Sequence, residues 1–198
     1  MDWEKLTEQI REYTKKSVKK SRYEHSKRVA EMCARAKICR LCGLDDRAGY
    51  LAGIGHDMCK DLPYDEMIRI AKRDGNPISQ MELENPSLLH GRAAAVVMKE
   101  KFGIKDNDIL EAVANHTSGI EKMCDLTKAL FLADKIEPGR PQSTSEYREK
   151  LLAMPLSKMF YSVFEENYQY LLKKGYEIYP NTERMLEYYR KQAFGAEK

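Results

Sequence analysis

The chain has 198 residues, of which 33% are charged and 42% hydrophobic, with a net charge of +3. That length suits one domain with a real core and a small helical appendage, and is short for two independent domains. The slight positive excess describes a well-solvated surface rather than the basic field of a dedicated nucleic-acid binder, so nucleic acid is not expected as an obligate partner.

Helices follow one another along the chain. Over residues 3–19, Leu6, Ile10, Tyr13 and Val18 recur with a loose helical period under a strongly charged outer face. Residues 23–41 read as one helix, with His25, Val29, Met32, Cys33, Ala36 and Cys39 on one side and Gly43 as the stop. Asp45 and Asp46 cap a helix expected to run to about Cys59, and Pro63 opens another through about Arg73, broken by Asp74-Gly75-Asn76-Pro77. Asn85-Pro86-Ser87 starts a helix that Gly103 ends. Asp106 caps one whose stripe is Ile109, Val113 and His116, and residues 125–136 form the next, stopped by Pro138-Gly139. Residues 145–153, 157–174 and 182–193 complete the series with amphipathic segments rich in Tyr and Leu. No segment reads as a strand, so the expected fold class is all-α, a single helical bundle with a helical C-terminal extension. Gly139-Arg140-Pro141-Gln142-Ser143 is the one linker-like stretch.

The N-terminus is polar, and the longest apolar runs, residues 93–98 and 129–133, are far too short to span a bilayer. A cytoplasmic protein with no membrane partner is expected. Five cysteines, an odd number without an export signal, argue for reduced thiols rather than a disulfide framework. Cys39 and Cys42 form a C-x-x-C, but a zinc ribbon needs a second pair and a thioredoxin-like motif needs a preceding strand. Cys59 reads as a small buried hydrophobe.

The four histidines form one ordered series: His25, then His56 followed at once by Asp57, then His90, then His116, closed by Asp134. Imidazole is a neutral metal ligand and a carboxylate can bridge, so four His and two Asp suit a pair of borderline divalent ions. Asp134 falls on the apolar stripe Leu126, Leu130, Ala133, where an unpaired carboxylate would be costly, so a cation or a salt bridge must meet it. His116 extends its own apolar stripe in the same way. His56 and Asp57 are about 100° apart around a helix axis and can still converge on ions between them. Two-metal sites most often serve hydrolysis of phosphoesters and anhydrides. Arg22 stands one turn before His25, Lys60 one turn after His56, and Arg140 beyond the turn after Asp134; each is either a phosphate contact or a solvated surface charge.

Taken together, Arg22-Tyr23-Glu24-His25-Ser26, Ala52-Gly53-Ile54-Gly55-His56-Asp57-Met58-Cys59-Lys60, Asn85-Pro86-Ser87-Leu88-Leu89-His90, Ala114-Asn115-His116-Thr117-Ser118-Gly119 and the segment Leu132-Ala133-Asp134-Lys135-Ile136-Glu137-Pro138-Gly139-Arg140 resemble the HD-domain superfamily of metal-dependent phosphohydrolases. More narrowly they resemble its YqeK-type members, the symmetrical bis(5'-nucleosyl)-tetraphosphatases. The resemblance implies a division into an N-terminal helix over residues 1–20, the HD domain over 21–140 and a C-terminal extension over 141–198. It implies a di-iron centre, one metal held by His25, His56, Asp57 and Asp134, the second by His90 and His116 with Asp57 bridging; Mn, Ni or Zn would accept the same donors. It further implies cleavage of diadenosine tetraphosphate at its centre to two ADP, by metal-bound hydroxide attacking an inner phosphorus. Arg22, Asp57, Lys60, Thr117 and Arg140 would contact substrate, with Asp57 and Lys60 catalytic. Gly55 and Cys59 depart from the family's bulkier residue and alanine at packing positions. Other HD-type readings are a different nucleotide phosphohydrolase or phosphodiesterase, a di-iron oxygenase, or a non-catalytic metal- and nucleotide-binding regulator. The stripe Tyr161, Phe164, Tyr168, Leu171, Leu172 either packs on the core or forms a homodimer contact, and Asn181-Thr182 caps a helix, touches substrate, or both.

Overall fold

A computed structural model describes residues 2–36 and 38–195, the side chains of residues 35 and 36 apart, and the regular structure within them is helical throughout. α1 (Trp3–Ser17) starts where the Asp2 carboxylate accepts from the Lys5 N–H at 3.1 Å. It buries Leu6, Ile10 and Thr14, the Thr14 hydroxyl donating to the Ile10 carbonyl at 2.9 Å. The single helix expected over residues 23–41 is interrupted. α2 (Lys20–Glu31) passes into a π-helical turn, Met32–Ala36, followed by the short α3 (Ile38–Leu41). Residues six apart on a straight helix lie about 120° apart around the axis; the π turn instead brings Cys33 and Cys39 to 3.7 Å between sulfurs, both fully buried. The inward position expected for Ala36 lies outside the described side chains.

α4 (Asp46–Gly55), capped by Asp45, is buried around most of its girth and packs against α1 and α2. Two glycines permit this. A Cβ on Gly53 would lie 2.5 Å from the Ala30 Cα and 2.8 Å from its N, so α2 rests backbone to backbone on α4. One on Gly49 would lie 2.4 Å from the Cys39 sulfur. The helix was expected to reach Cys59 but ends at Gly55. Residues 56–62 form tight turns instead, with Met58 N donating to Gly55 O at 3.1 Å and Lys60 N to Asp57 O at 2.9 Å. The tightening turns His56 and Asp57 off the helical ladder.

α5 (Tyr64–Ala71) ends in a 3₁₀ turn, Lys72–Asp74. The sequence reading missed α6 (Gln80–Glu84), five residues held by a reciprocal capping box between Ser79 and Glu82. Arg92 secures this segment, donating to Asp74 at 2.7 and 2.9 Å, to Glu82 at 3.0 Å and to the Asn76 and Pro77 carbonyls. Arg92 projects from α7 (His90–Phe102), which follows a 3₁₀ turn, Pro86–Leu89, and ends at Gly103 with φ +68°. α8 (Asn107–Asn115) is capped by Asp106, and both α8 and α9 (Asp125–Ile136) pack on α4.

After α10 (Ser145–Leu152), α11 (Leu156–Lys173) lies on α9, and α12 (Thr182–Phe194) lies on α11. Phe131 of α9 meets Phe160 and Phe164 at 5.4 and 5.7 Å between ring centroids, and Tyr189 of α12 meets Phe160 at 4.7 Å. The Tyr189 hydroxyl accepts from Met123 N and donates to the Ile120 carbonyl. Of the expected stripe, Tyr161 and Phe164 are buried, Tyr168 and Leu171 half-buried, and Leu172 exposed. No described helix is long and apolar enough to cross a membrane. Gly53→Ala is expected to lower the unfolding free energy by about 1–3 kcal/mol, since the new methyl meets backbone that can yield only by separating α2 from α4; urea unfolding at constant m measures it.

Candidate metal centre

Three of the histidines occupy the same kind of position. His56, His90 and His116 each follow directly on the last residue of a helical segment, α4, the 3₁₀ turn and α8. Each ring folds back so that Nδ1 meets the carbonyl three residues earlier: Gly53 at 2.7 Å, Ser87 at 2.6 Å and Val113 at 2.8 Å. Carbonyls at a helix end lack intrahelical donors, and a carbonyl can only accept. At His56 and His116 Nδ1 therefore carries the proton, and the Nε2 lone pair is left facing inward; at His90 the Lys60 ammonium also lies 3.0 Å from Nδ1. His25, in the middle of α2, instead stands between two carboxylates, with Nδ1 3.0 Å from Glu137 Oε1 and Nε2 3.0 Å from Asp134 Oδ1; burial opposes protonation of its ring, but these two contacts outweigh it and raise its pKa.

The four rings stand edge to face in a row, with centroids 5.4 Å apart for His25–His56, 4.8 Å for His56–His116 and 4.9 Å for His90–His116. Gly91 allows the last approach, because a Cβ there would lie 2.7 Å from the Val113 carbonyl. Around Asp57 the acceptors crowd. His90 Nε2 is 3.1 Å and His116 Nε2 3.8 Å from Asp57 Oδ1, and the two nitrogens are 3.0 Å from each other. The Thr117 hydroxyl, 3.3 and 3.2 Å from them, has one proton to offer. His56 Nε2 is fully buried, 3.7 Å from Asp57 Oδ2, and has no hydrogen-bond partner.

Inward-facing lone pairs, two buried carboxylates and an orphaned imidazole nitrogen are the donor set that a borderline divalent ion completes. The residues thus fit a metal. Two triads have donor atoms within 4.8 Å of one another, His25–His56–Asp134 and His56–Asp57–His116. His56 belongs to both, whereas the sequence reading gave it to one metal only; His90 joins through Asp57 and His116.

Electrostatics support the same assignment. Burial lowers the pKa of His56 and holds that of His116 well below the ordinary range, which keeps both neutral and ready to coordinate. Burial opposes ionisation of Asp57, yet its carboxyl is held well below the usual value, with His90 Nε2 at 3.1 Å and the Arg22 guanidinium at 3.0 Å. Burial is likewise overcome at Asp134, by Lys135, His25 and Arg140. Burial lowers the pKa of Lys60, whose ammonium is 3.0 Å from His90 Nδ1 and 3.4 Å from the Ser87 carbonyl. Arg22 donates to Asp57 at 3.0 Å and to Asp61 at 3.2 Å, and Arg140 to Asp134 Oδ1 at 2.5 Å. All ten residues singled out from the sequence, from Arg22 to Arg140, thus meet at one place.

Glu137, Lys135 and Arg28 are at the site and were not singled out. Glu137, 1% exposed, accepts from His25 Nδ1, from Arg28 Nε at 2.5 Å and from the Gly139 N–H. Burial would raise its pKa, yet these donors bring it down to about 2. Its spacing three residues after Asp134 was a usable signal. Lys135 donates to Asp134 Oδ2 at 2.7 Å. The thiols stay apart from this chemistry: Cys59 is buried with its pKa pushed up to about 12, and Cys39 pairs with Cys33 rather than Cys42. All five cysteines are free. Above the ligands opens a cavity of about 470 Å³ whose walls carry Arg22, Arg28, Lys60, Lys135 and Arg140. Metal donors at the floor and cations on the walls suit a polyanion.

The family model described as HD domain matches residues 22–139. The symmetrical bis(5'-nucleosyl)-tetraphosphatase of Staphylococcus aureus (strain NCTC 8325 / PS 47) is 32% identical over 186 residues, 92% of this chain and 93% of that protein. The Bacillus subtilis (strain 168) protein of the same name is 30% identical over 168 residues, 85% of this chain and 89% of that one. In three dimensions the chain is similar to a predicted HD superfamily hydrolase involved in NAD metabolism from Clostridium acetobutylicum, with a TM-score of 0.84, 29% identity, and 93% and 97% of the two chains covered. The chain belongs to the HD domain family of metal-dependent phosphohydrolases and groups with its symmetrical bis(5'-nucleosyl)-tetraphosphatases.

Proposed function

We propose that the chain hydrolyses dinucleoside tetraphosphates, diadenosine tetraphosphate foremost, at the central anhydride to give two nucleoside diphosphates. The observation that carries this reading is the convergence of Nε2 lone pairs on Asp57, with His56 Nε2 unpartnered, beneath a cation-walled cavity. His25, His56, Asp57 and Asp134 would hold one divalent ion, and His90 and His116 with Asp57 a second. Iron is the first candidate, with Mn, Ni or Zn accepted by the same donors. Such ions supply Lewis acidity toward phosphoryl oxygens and make water acidic enough to attack near neutral pH.

The protein's own groups do the rest. Arg22 and Arg140 present guanidinium forks that suit the paired oxygens of phosphate groups, and Lys60 adds a point charge beside His90. The Thr117 hydroxyl stands where it can donate to a phosphate oxygen. Water oxygen bonds to an inner phosphorus and its proton passes to solvent, the bridging P–O bond breaks, and the electron pair leaves with a nucleoside diphosphate. Its charge is already delocalised, so positioning and electrostatics carry the rate. Residues 1–20, 21–140 and 141–198 would then be an N-terminal helix, the catalytic domain and its extension. A cytoplasmic setting and a homodimer through the C-terminal helices belong to the same proposal.

Asp57→Ala is expected to abolish turnover and cut metal content by elemental analysis; near wild-type values for both would overturn the two-metal reading. Chromatography of products from diadenosine tetraphosphate should give ADP alone, whereas ATP plus AMP would sink the symmetrical assignment. Glu137→Gln should weaken metal affinity about 10- to 100-fold in chelator competition, because the His25 ring loses the carboxylate that orients it. The pKa of Glu137 is lower folded than unfolded, so its stabilisation is full above the ordinary value of 4.5 and lost as pH falls toward about 2. Urea midpoints of the metal-free protein between pH 5 and 3 should therefore fall less steeply in Glu137→Gln.

A further inference from the structure

Beside the metal cavity lies a second hollow of about 350 Å³. The two share Thr117 and Lys135, whose polar atoms lie 3.2 Å from His116 Nε2 and 2.7 Å from Asp134 Oδ2. Anything that threads past these two side chains reaches the candidate ligands. The hollow is walled differently from the cavity. Phe164 and Tyr168 of α11 and Tyr179 of the loop before α12 give it an apolar, aromatic lining, and Asn85 and Thr182 add a few hydrogen-bonding groups. The Tyr168 hydroxyl is held by Glu183 at 3.0 Å, which tethers that ring at its polar end. A mostly apolar recess with a few convergent polar groups suits a flat heteroaromatic ring, and base-on-aromatic stacking needs such platforms.

On the other side, Arg28 alone is shared with a hollow of about 390 Å³, whose remaining lining, Glu24, Lys27, Glu31, Met32, Tyr50 and Pro138, offers a single aromatic ring and two carboxylates that would repel a phosphate chain. Apart from the candidate metal ligands, the residues that line the metal cavity itself, among them Ser21, Arg22, Arg28, Arg140 and Pro141, include charge and no aromatic ring. A symmetrical substrate would meet an asymmetric site. We infer that the hollow beside Thr117 and Lys135 binds one nucleoside of the substrate, and that the site recognises the other half through its phosphates alone. This rests on the hydrolase reading above. The nucleoside in the hollow would anchor the molecule, its phosphate chain would pass Thr117 and Lys135 into the cavity, and the second nucleoside would project toward Arg28 and Pro141. A substrate lacking that second nucleoside should still be cleaved.

Calorimetric titration of the purified protein with ADP, together with hydrolysis of diadenosine tetraphosphate and adenosine 5'-tetraphosphate, tests this. One ADP is expected per chain, and Tyr179→Ala should weaken it by about tenfold or more, the loss that removal of one stacking platform brings. Tyr168→Ala, on a different element, should weaken it similarly, and Tyr179→Phe should restore most of the affinity. Adenosine 5'-tetraphosphate should yield ADP and pyrophosphate with kcat/KM within about tenfold of the dinucleotide's, a gap no larger than one unmade stacking contact. Two ADP per chain, unchanged ADP affinity in both alanine variants, or a hundredfold poorer mononucleotide would each overturn the inference. Were the wild-type protein to cleave neither tetraphosphate, the hydrolase reading would fail, while the ADP titration would still decide the hollow's role.

Discussion

A helix that ends leaves carbonyls without donors, and in this protein imidazole supplies them. His56 and His116 each return an Nδ1 proton to the carbonyl three residues behind, and the His90 ring is set in the same position, Nδ1 2.6 Å from the Ser87 carbonyl. One short hydrogen bond thereby settles the tautomer, the ring orientation and the direction of the remaining lone pair. Three separate segments, ending at Gly55, Leu89 and Asn115, use this device. His25 lies in mid-helix, where no free carbonyl is on offer, and Glu137 stands in for one.

This arrangement depends on close backbone approach. Gly53 lets α2 lie directly on α4, which sets His25 beside His56, and Gly91 lets the start of α7 meet the end of α8, which sets His90 beside His116. The apolar core around α4, α8 and α9 then keeps the row of rings dry, so burial suppresses protonation of His56 and His116. Charge enters from the rim. Arg22 and Arg140 neutralise Asp57 and Asp134, and the cations that stabilise the buried carboxylates also face the cavity through which a polyphosphate would come. Packing, protonation state and anion attraction are thus consequences of one geometry.

Helix positions were largely readable because period and caps are local. Asp2, Asp45 and Asp106 begin helices where their side chains accept backbone protons, and Gly103 stops one at positive φ. The misses share a cause. The π turn after Glu31 and the early end of α4 follow from how those segments pack on one another, and nothing within either stretch announces the break. α6 is too short for a periodic signal, although Ser79 and Glu82 carried the spacing of its capping box.

The sequence alone determined the candidate donor set, because metal-binding chemistry is confined to few residue types and this chain has four histidines in one ordered series with two aspartates. It could not decide which donors share an ion, since His56 lies within reach of both triads and only the packing of α2, α4, α8 and α9 sets those distances. Glu137 and Lys135 were visible as letters and silent as roles, because an acid or a base acquires its role from what it faces. The hollow walled by Phe164, Tyr168 and Tyr179 likewise exists only once α11 and the loop before α12 close over Thr117, some fifty residues distant in the chain. Residue identity and local period depend on neighbours in sequence, whereas convergence depends on neighbours in space, and only the folded chain supplies those.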